Sequence, residues 1–291
     1  MTTRANDRSD LSRFGARVGV IAGEGRLPLD VAEQLQEAGA SPFIVLAGDE
    51  ARTAPGLLGF DHAELPPERI AELVPLLKKN RVATVVMSGA ITRRPNWRTF
   101  RPSMRLLTLV PTIARALVKG DDGLLRVLVR FLEENGFTVV GAHEIAPQLL
   151  APLGPLTSAK PTAGDARDLQ AALVAAQTIG AIDVGQAAVA IGGRAIALEG
   201  IEGTDGLLDR VAALRGHGRL ANAKRGVLVK CAKPEQEMRA DLPTIGPDTV
   251  LRAHKAGLAG IGVEAERSLV LDLPEVRKEA DRLGLFVVGI E

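Results

Sequence analysis

Short apolar runs alternate with amphipathic segments along the first half of the chain. Residues 18–22 and 42–47 each form an uninterrupted apolar run typical of a buried strand, and apolar residues at helical spacing fill 29–35 between them. Strand, turn, helix and strand make a βαβ unit, and such a crossover implies a parallel sheet. A helix over 67–80 and a strand over 82–87 repeat the pattern. The first half therefore predicts a Rossmann-like parallel sheet.

The second half has a related pattern with one antiparallel element. After helices at 104–118 and 124–132, a strand at 137–140 closes the first half, and a helix at 166–180 opens the second. Two apolar runs then flank Gly192-Gly193, and a glycine pair between such runs suits the two-residue turn of a β-hairpin. This half is expected to be α/β with a mixed sheet.

Chain length and a proline-rich segment predict two α/β domains. A chain of 291 residues fits about two domains on the usual size prior. The polar start, 1–16, is expected to be a disordered extension, followed by an N-terminal Rossmann-like domain over 17–146. Four prolines mark 147–164 as a linker, which leaves 165–291 as the C-terminal domain.

Composition narrows the class of protein. The net charge of +1 gives no general attraction to nucleic acid, so no nucleic-acid partner is expected. A single cysteine excludes an intrachain disulfide and a thiolate metal cluster, and it is consistent with a reducing compartment. No apolar run reaches the roughly 20 residues that cross a bilayer. We therefore expect a cytoplasmic protein.

The first turn offers a weak dinucleotide fingerprint. Gly23 and Gly25 have the spacing of the first two glycines of G-x-G-x-x-G, but Pro28 replaces the third. The ribose-binding acid is offered only loosely, by Asp49 or Glu50. A phosphate loop and a tight turn without a ligand both stay open. The turn also motivates an alternative function, that of an NAD(P)-dependent oxidoreductase.

Polar residues follow the later strands of the first half. Arg93 begins an adjacent arginine pair that either grips phosphate oxygens or is solvated. Asp121 and Asp122 either cap the next helix or supply the paired oxygens that suit Mg²⁺. His143 and Glu144 come directly after a strand, and the histidine is either a base, a partner of a ligand or structural.

The second half has a similar acidic turn before a helix. Glu202, Thr204 and Asp205 precede apolar residues at helical spacing, and Thr204 or Asp205 is expected to be the N-cap. Two carboxylates beside bare backbone N–H groups can hold a metal, a phosphate or both. Capping explains one of these residues, but not all three.

The most informative stretch is 230–246. It follows an apolar run at 226–229 and ends where a helix should begin, at Pro247. Its basic residues and acids therefore lie at a strand end beside a helix N-terminus, where α/β sheets bind anions. A charged surface loop is the plain alternative. Carboxylates for Mg²⁺ and lysines near anionic oxygens together suit chemistry at a phosphate or diphosphate.

Four motifs carry a resemblance to a known family: Gly120-Asp-Asp122, Gly141-Ala-His-Glu144, Glu202-Gly-Thr-Asp205 and the run 233–246 with its Asp-Leu-Pro-Thr-Ile-Gly ending. In order and spacing they resemble the UDP-2,3-diacylglucosamine pyrophosphatases of lipid A biosynthesis. The resemblance is to the Mg²⁺-dependent two-domain type, which is unrelated to metallophosphoesterases. It implies hydrolysis of UDP-2,3-diacylglucosamine to UMP and 2,3-diacylglucosamine 1-phosphate (lipid X), with an essential aspartate at Asp241. A non-catalytic nucleotide-sugar-binding protein is a further alternative.

The expected site residues come from the motif positions that the resemblance carries over and from polar or glycine-rich loops at other strand ends, which supply Gly23, Gly25, Arg93 and Lys230. The expected catalytic residues are Asp241, Asp205 and Lys230. The expected Mg²⁺ ligands are Asp241, Asp122, Glu144 and Glu202. The expected substrate contacts are Gly23, Gly25, Arg93, Asp121, His143, Thr204, Lys233, Gln236, Arg239, Thr244 and Gly246. The expected partners are the lipid-bearing nucleotide sugar, the inner membrane through peripheral contact, and a second copy in a homodimer.

Overall fold

A computed structural model describes residues 11–47, 55–90, 121–220, 225–234 and 236–291. The chain divides into two compact units, here called the N-unit, Met1–Pro147 with Glu237–Asp241, and the C-unit, Gln148–Gln236 with Leu242–Glu291. Each unit packs helices against its own sheet, so the predicted fold class, two α/β domains, is confirmed. Five residues of the second half of the chain thus belong to the N-unit.

The N-unit is built on a parallel sheet. Its strands are β1 Arg17–Ala22, β2 Ser41–Leu46, β3 Asp61–Glu64, β4 Thr84–Ser88 and β5 Thr138–Val140. Its α-helices are α1 Leu27–Glu37, α2 Leu73–Lys79, α3 Asp121–Glu134 and α4 Ala142–Ile145. The described strands have the order β3-β2-β1-β4-β5, and each adjacent pair is parallel. The order reverses between β1 and β4, which is the point where sheets of this kind bind ligands.

Alternate residues of the N-unit strands face two hydrophobic cores. Val18 and Val20 of β1 point into a core that includes Leu35 of α1, whereas Ile21 belongs to the opposite core with Leu77 of α2. The period of two in a strand produces this division, and the apolar faces of the helices cover both sides. The sheet is therefore buried on both faces, as its continuous apolar runs predict.

The C-unit contains a mixed sheet. Its strands are β6 Gly154–Pro155, β7 Ala187–Ile191, β8 Arg194–Leu198, β9 Val227–Lys230, β10 Thr244–Ile245, β11 Gly260–Glu264, β12 Leu269–Val270 and β13 Phe286–Ile290. Its α-helices are α5 Ala163–Ala181, α6 Gly203–Leu214, α7 Pro247–Lys255 and α8 Leu273–Leu283. The large sheet has the order β6-β13-β11-β9-β7-β8, and β10 pairs with β12 separately. The predicted hairpin is β7–β8, with positive φ angles of 65° and 76° at Gly192 and Gly193.

Helices cover both faces of this sheet as well. Leu169 and Ala172 of α5 pack with Val229 of β9, while Leu207 of α6 and Val276 of α8 share the opposite core. None of the helices in the described part of the chain is long and apolar enough to cross a membrane.

Two predicted boundaries differ from the structure. The extension predicted over 1–16 is too long, because Leu11–Phe14 forms a 3-10 helix and Phe14 is buried in the core. The linker predicted over 147–164 is structured from its start. Within it, Gly154–Pro155 forms β6, an antiparallel edge strand on β13, where proline is tolerated because the missing N–H faces outward.

The helix predicted over 67–80 is divided. Pro67–Glu72 is a 3-10 helix in which Arg69 has non-helical angles, and α2 follows it. Strand β3 was not predicted, because Asp-His-Ala-Glu shows no apolar alternation and its backbone pairing with β2 forms the strand. The helix predicted over 104–118 lies outside the described residues.

Candidate active site

The turns after β1 and β4 bind each other at the point where the strand order reverses. The Gly23 amide donates to the Ser88 carbonyl at 2.8 Å, and the Glu24 amide donates to the Ala90 carbonyl at 2.6 Å. A Cβ atom at Gly23 would lie 2.6 Å from the Gly89 carbonyl oxygen. Close packing therefore explains this glycine without a ligand, and neither amide is available to a phosphate. This weakens the dinucleotide interpretation of the turn.

Gly25 differs from Gly23. It has a φ of +86°, which favours glycine, and no atom of the described residues beyond its chain neighbours lies within 4 Å of the place where a Cβ would stand. The turn thus requires Gly25 for its conformation and leaves open space beside it. Its contact with substrate remains a prediction. Arg93, predicted to bind substrate from the next turn, lies outside the described residues.

The turn after β5 is a single helical turn, α4, closed by reciprocal hydrogen bonds. The Gly141 amide donates to Glu144 Oε1 at 2.8 Å, and the Glu144 amide donates to the Gly141 carbonyl at 3.0 Å. One oxygen of this predicted metal ligand is therefore engaged in capping. Nδ1 of His143 is buried and has no hydrogen-bond partner among the described residues. Burial lowers the pKa of His143 against the opposing effect of Glu144, which favours a neutral imidazole.

An ion-pair network holds the Glu237–Asp241 segment on the N-unit. Arg239 donates through Nε to Glu237 at 2.9 Å and through Nη1 to Glu133 of α3 at 2.6 Å. The hydrogen bond from Arg239 lowers the pKa of Glu237, and the same bond raises the pKa of Arg239. The predicted substrate contact Arg239 is therefore already paired with two carboxylates.

Packing places the same segment beside the turn after β5. Ala240 packs against the N-unit core, and a Cβ atom at Gly141 would lie 3.3 Å from the Arg239 Cα. The Asp241 amide donates to the Glu237 carbonyl at 3.1 Å, and the Asp241 residue is exposed. Thus the N-unit brings together two of the predicted site segments, since the Glu237–Asp241 segment meets the Gly141-Ala-His-Glu144 turn at Arg239. Asp121 and Asp122 begin α3, but their side chains are outside the described part of the structure.

In the C-unit, the acidic turn is arranged differently from the prediction. Helix α6 begins at Gly203 with Glu202 as its N-cap, so neither Thr204 nor Asp205 is the capping residue. Glu202 forms an ion pair with Arg210. Asp205 is mostly exposed and its Oδ2 lies 3.4 Å from Nε of Arg252. Each of the two carboxylates therefore pairs with its own arginine. The prediction had both of them facing one shared ligand.

Thr204 has a partner that the sequence did not predict. Its hydroxyl donates to Oε1 of Glu199 at 2.7 Å, and Glu199 is buried. The sequence does show an acid, Glu199, directly after strand β8. Spacing alone does not show which hydroxyl donates to it.

Lys230, the last residue of β9, and Lys233, which follows the strand, also have protein partners. Nζ of Lys230 donates to the Thr244 carbonyl at 3.0 Å, and Nζ of Lys233 pairs with Asp183. The Lys233 amide donates to Oε1 of Gln236 at 2.9 Å. Each ammonium has three N–H groups, so these contacts do not exhaust its capacity to donate.

The end of this stretch forms the predicted helix start. Helix α7 begins at Pro247 as expected, with Gly246 as its N-cap. The nearest atom to a Cβ at Gly246 would be 3.9 Å away, and its φ is −151°, so neither packing nor strain requires glycine here. Thr244 belongs to β10, which pairs with β12. The predicted substrate contacts of Thr244 and Gly246 remain predictions.

Cys231 should be unreactive in the folded protein. It is 1% exposed, and burial together with the negative charge of Glu264 raises the pKa of its thiol to about 12. Because the thiolate is the nucleophile, we expect the native protein to react with a thiol reagent at pH 8 at least about 100-fold more slowly than the unfolded chain. Absorbance after addition of a chromogenic disulfide measures the rate. Equal rates with and without denaturant would contradict the described burial.

Three of the predicted Mg²⁺ ligands, Glu144, Asp241 and Glu202, have side chains that the structure describes. Among side chains that the structure describes, no group of three histidine, cysteine, aspartate or glutamate residues could hold a metal ion. Glu144 and Asp241 belong to the N-unit and Glu202 to the C-unit. Mg²⁺ at a diphosphate commonly binds one or two carboxylates together with substrate oxygens and water. Asp241, an exposed residue, suits that kind of site.

These features define a class: a two-unit α/β protein with a Rossmann-like parallel sheet, a mixed sheet, and acids and bases concentrated at strand ends. Residues 17–149 match the model of the LpxI N-terminal domain, and residues 152–288 match that of the LpxI C-terminal domain. The chain is 38% identical over 279 residues to UDP-2,3-diacylglucosamine pyrophosphatase LpxI of Caulobacter vibrioides, an alignment covering 94% of this chain and 98% of that protein. The chain therefore belongs to the LpxI family, and the family predicted from its motifs is confirmed.

Proposed function

We propose that this protein is a UDP-2,3-diacylglucosamine pyrophosphatase. It uses water to cleave the diphosphate bond and releases UMP and 2,3-diacylglucosamine 1-phosphate. The observation that carries the proposal is the 38% identity along 94% of this chain and 98% of a relative named for that activity. The similarity covers both units, since residues 17–149 and 152–288 match the two domains of the family.

Asp241 is the proposed catalytic carboxylate. Its residue is exposed, while the backbone beside it is fixed by the bond to Glu237 and by the ion pairs of Arg239. A catalytic group must be held in position by the residues around it, and the fixed backbone of this segment does so for Asp241. In this role the carboxylate orients the attacking water or holds the cation. Asp205 is the second proposed catalytic acid, and its carboxylate is largely exposed at the start of α6.

Lys230 at the end of β9 and Lys233 just after it are the proposed diphosphate ligands of the C-unit. Lys230 retains two N–H groups beyond its bond to Thr244, and Lys233 retains two beyond its pair with Asp183. Their protein partners fix where each ammonium stands. Fixed positive charge near a diphosphate stabilises the charge that develops on its oxygens during cleavage.

We propose Mg²⁺ as the cofactor, held by Asp241 with substrate oxygens and water completing the shell. Glu144 belongs to the same unit and has one oxygen beyond the one that caps α4. When bound, Mg²⁺ would supply positive charge to the phosphate oxygens. Asp122 and Glu202 remain predicted ligands, the first with an undescribed side chain and the second paired with Arg210.

Metal removal tests this proposal directly. Purified protein with UDP-2,3-diacylglucosamine and Mg²⁺ should release UMP, measured by anion-exchange chromatography. EDTA should slow the release by at least about 100-fold, because the charge that Mg²⁺ supplies is lost. EDTA already saturated with Mg²⁺ is the control and should have no effect. Release that continues in EDTA would contradict the cofactor, and no release under any condition would contradict the substrate.

The substrate also suggests where the protein acts. Its acyl chains partition into a bilayer, so we propose a cytoplasmic protein in peripheral contact with the inner membrane. Co-sedimentation with lipid vesicles, with and without substrate, measures that contact. The predicted homodimer is checked by sedimentation velocity, in which a single species of one chain's mass would contradict it.

A further inference from the structure

Glu199 is a buried carboxylate between β8 and the acidic turn that leads into α6. Its residue is 5% exposed. The Gln186 amide donates to Oε2 at 2.7 Å, and the Thr204 hydroxyl donates to Oε1 at 2.7 Å. Burying a carboxylate is costly unless its oxygens are hydrogen-bonded, and here both oxygens accept a bond. The carboxylate is therefore a fixed acceptor that joins two segments of the C-unit.

The backbone around Glu199 leaves this carboxylate little freedom. The Glu199 amide donates to the Ala187 carbonyl at 2.9 Å, and a Cβ atom at Gly185 would lie 2.9 Å from the Glu199 carbonyl carbon. On the other side, the Gln186 carbonyl accepts from the Cys231 amide at 3.0 Å. Glu199 thus connects the start of α6 to the segment that carries Lys230 and Lys233.

The direction of the Thr204 bond has a chemical consequence. A hydroxyl has one hydrogen, and Thr204 donates it to an acceptor-only carboxylate. Its Oγ1 can then only accept a hydrogen bond from a ligand. Phosphate oxygens without a proton also only accept, so Thr204 in this state does not pair with the diphosphate.

We infer that Thr204 recognises an N–H or O–H donor of the substrate and that Glu199 is the positioning residue that gives the hydroxyl this polarity. The inference rests on the proposed function and specifies the chemistry of one predicted substrate contact. Thr204 lies in the first turn of α6 and is half-buried rather than enclosed in the core. Donors are present in both halves of the proposed substrate, as uracil N–H and ribose hydroxyls in one and as amide N–H and sugar hydroxyls in the other.

Glu199→Gln reverses the polarity while keeping the shape. Its amide oxygen can accept from Gln186, and its NH₂ then donates to Thr204, which turns the hydroxyl hydrogen outward. We expect KM to rise about tenfold in this variant and in the isosteric Thr204→Val, with kcat within about threefold of wild type. Thr204→Ser should stay near wild type. The double variant should be no worse than either single variant, because both remove the same contact.

Inhibition by separate ligands identifies the half of the substrate that carries the donor. UMP and 2,3-diacylglucosamine 1-phosphate are compared as inhibitors of wild type and Thr204→Val. The inhibition constant of the product that carries the donor should be about tenfold higher in Thr204→Val than in wild type. Inorganic sulfate, whose oxygens only accept, should inhibit both proteins equally. A matching loss of sulfate inhibition would assign Thr204 to phosphate and overturn the inference. Unchanged KM in Thr204→Val, unchanged KM in Glu199→Gln, or a Thr204→Ser variant as poor as Thr204→Val would also overturn it.

A substrate-free measurement separates this inference from the proposed function. If the wild type releases no UMP, the function fails, and thermal unfolding still tests the Glu199–Thr204 bond. Thr204→Val should lower the Tm of the wild type by several degrees, because Glu199 loses a donor, and should lower it by a different amount when Glu199 is glutamine. Equal shifts in both backgrounds would show that the two side chains are not coupled and would overturn the inference.

Discussion

Replacing Asp241 by asparagine should reduce turnover of UDP-2,3-diacylglucosamine by about 1,000-fold, the range expected for loss of a catalytic carboxylate. Asparagine has the same shape but cannot hold a cation or take a proton as a carboxylate does. The fold should be retained, because Asp241 is exposed and asparagine has nearly the same size and shape. Initial rates of UMP release, at equal concentrations of folded protein, measure the effect.

A matched control comes from the same unit. Asp61 lies on the edge strand β3, is largely exposed and pairs with Arg17. Asp61→Asn should keep wild-type turnover, since an exposed ion pair contributes at most about 1 kcal/mol to stability. Near-normal rates in Asp241→Asn would remove this residue from the proposed chemistry, even if the wild type hydrolyses the substrate.

Gly23→Ala should destabilise the N-unit by about 3 kcal/mol. The new Cβ would lie 2.6 Å from the Gly89 carbonyl oxygen and 2.8 Å from the Ala90 carbonyl carbon. Both are backbone atoms, so relief requires the turns after β1 and β4 to separate and to lose the hydrogen bonds between them. Thermal unfolding monitored by circular dichroism measures the loss.

The control for this change is Gly59→Ala, also in the N-unit, where φ is not in the left-handed region and the described part of the chain places no atom beyond the chain neighbours within 4 Å of the added Cβ. It should leave stability within about 0.5 kcal/mol of wild type. A Gly23→Ala protein that is as stable as wild type but has a raised KM would favour the phosphate-loop interpretation of the turn over the packing explanation.

The regular elements were predictable where apolar burial determines them. The βαβ unit of β1, α1 and β2 and the β7–β8 hairpin follow from apolar spacing and from Gly192-Gly193. Such patterns are local, because the period of a strand or helix decides which side chains reach the core. The start of α7 at Pro247 was predicted for a similarly local reason.

Elements that depend on distant partners were not predictable. Strand β3 is polar and is formed by backbone pairing with β2. The assignment of Glu237–Asp241 to the N-unit depends on the pair between Arg239 and Glu133, which are 106 positions apart in the chain. Neither interaction leaves a periodic signal.

The candidate site shows the same division. The motifs were visible as acids, bases and glycines at strand ends, and they were sufficient to predict the family. The hydrogen-bond partners were not visible: Lys233 pairs with Asp183, and Lys230 donates to the Thr244 carbonyl. Partner choice depends on how loops pack, so the sequence alone does not show which groups these side chains bond to.

The most direct test of the account is the release of products from UDP-2,3-diacylglucosamine by the purified protein in Mg²⁺. Quantifying both products by mass spectrometry should give UMP and 2,3-diacylglucosamine 1-phosphate in equal amounts with wild type, and only background amounts with Asp241→Asn. An unchanged substrate with the folded wild-type protein would contradict the proposed function.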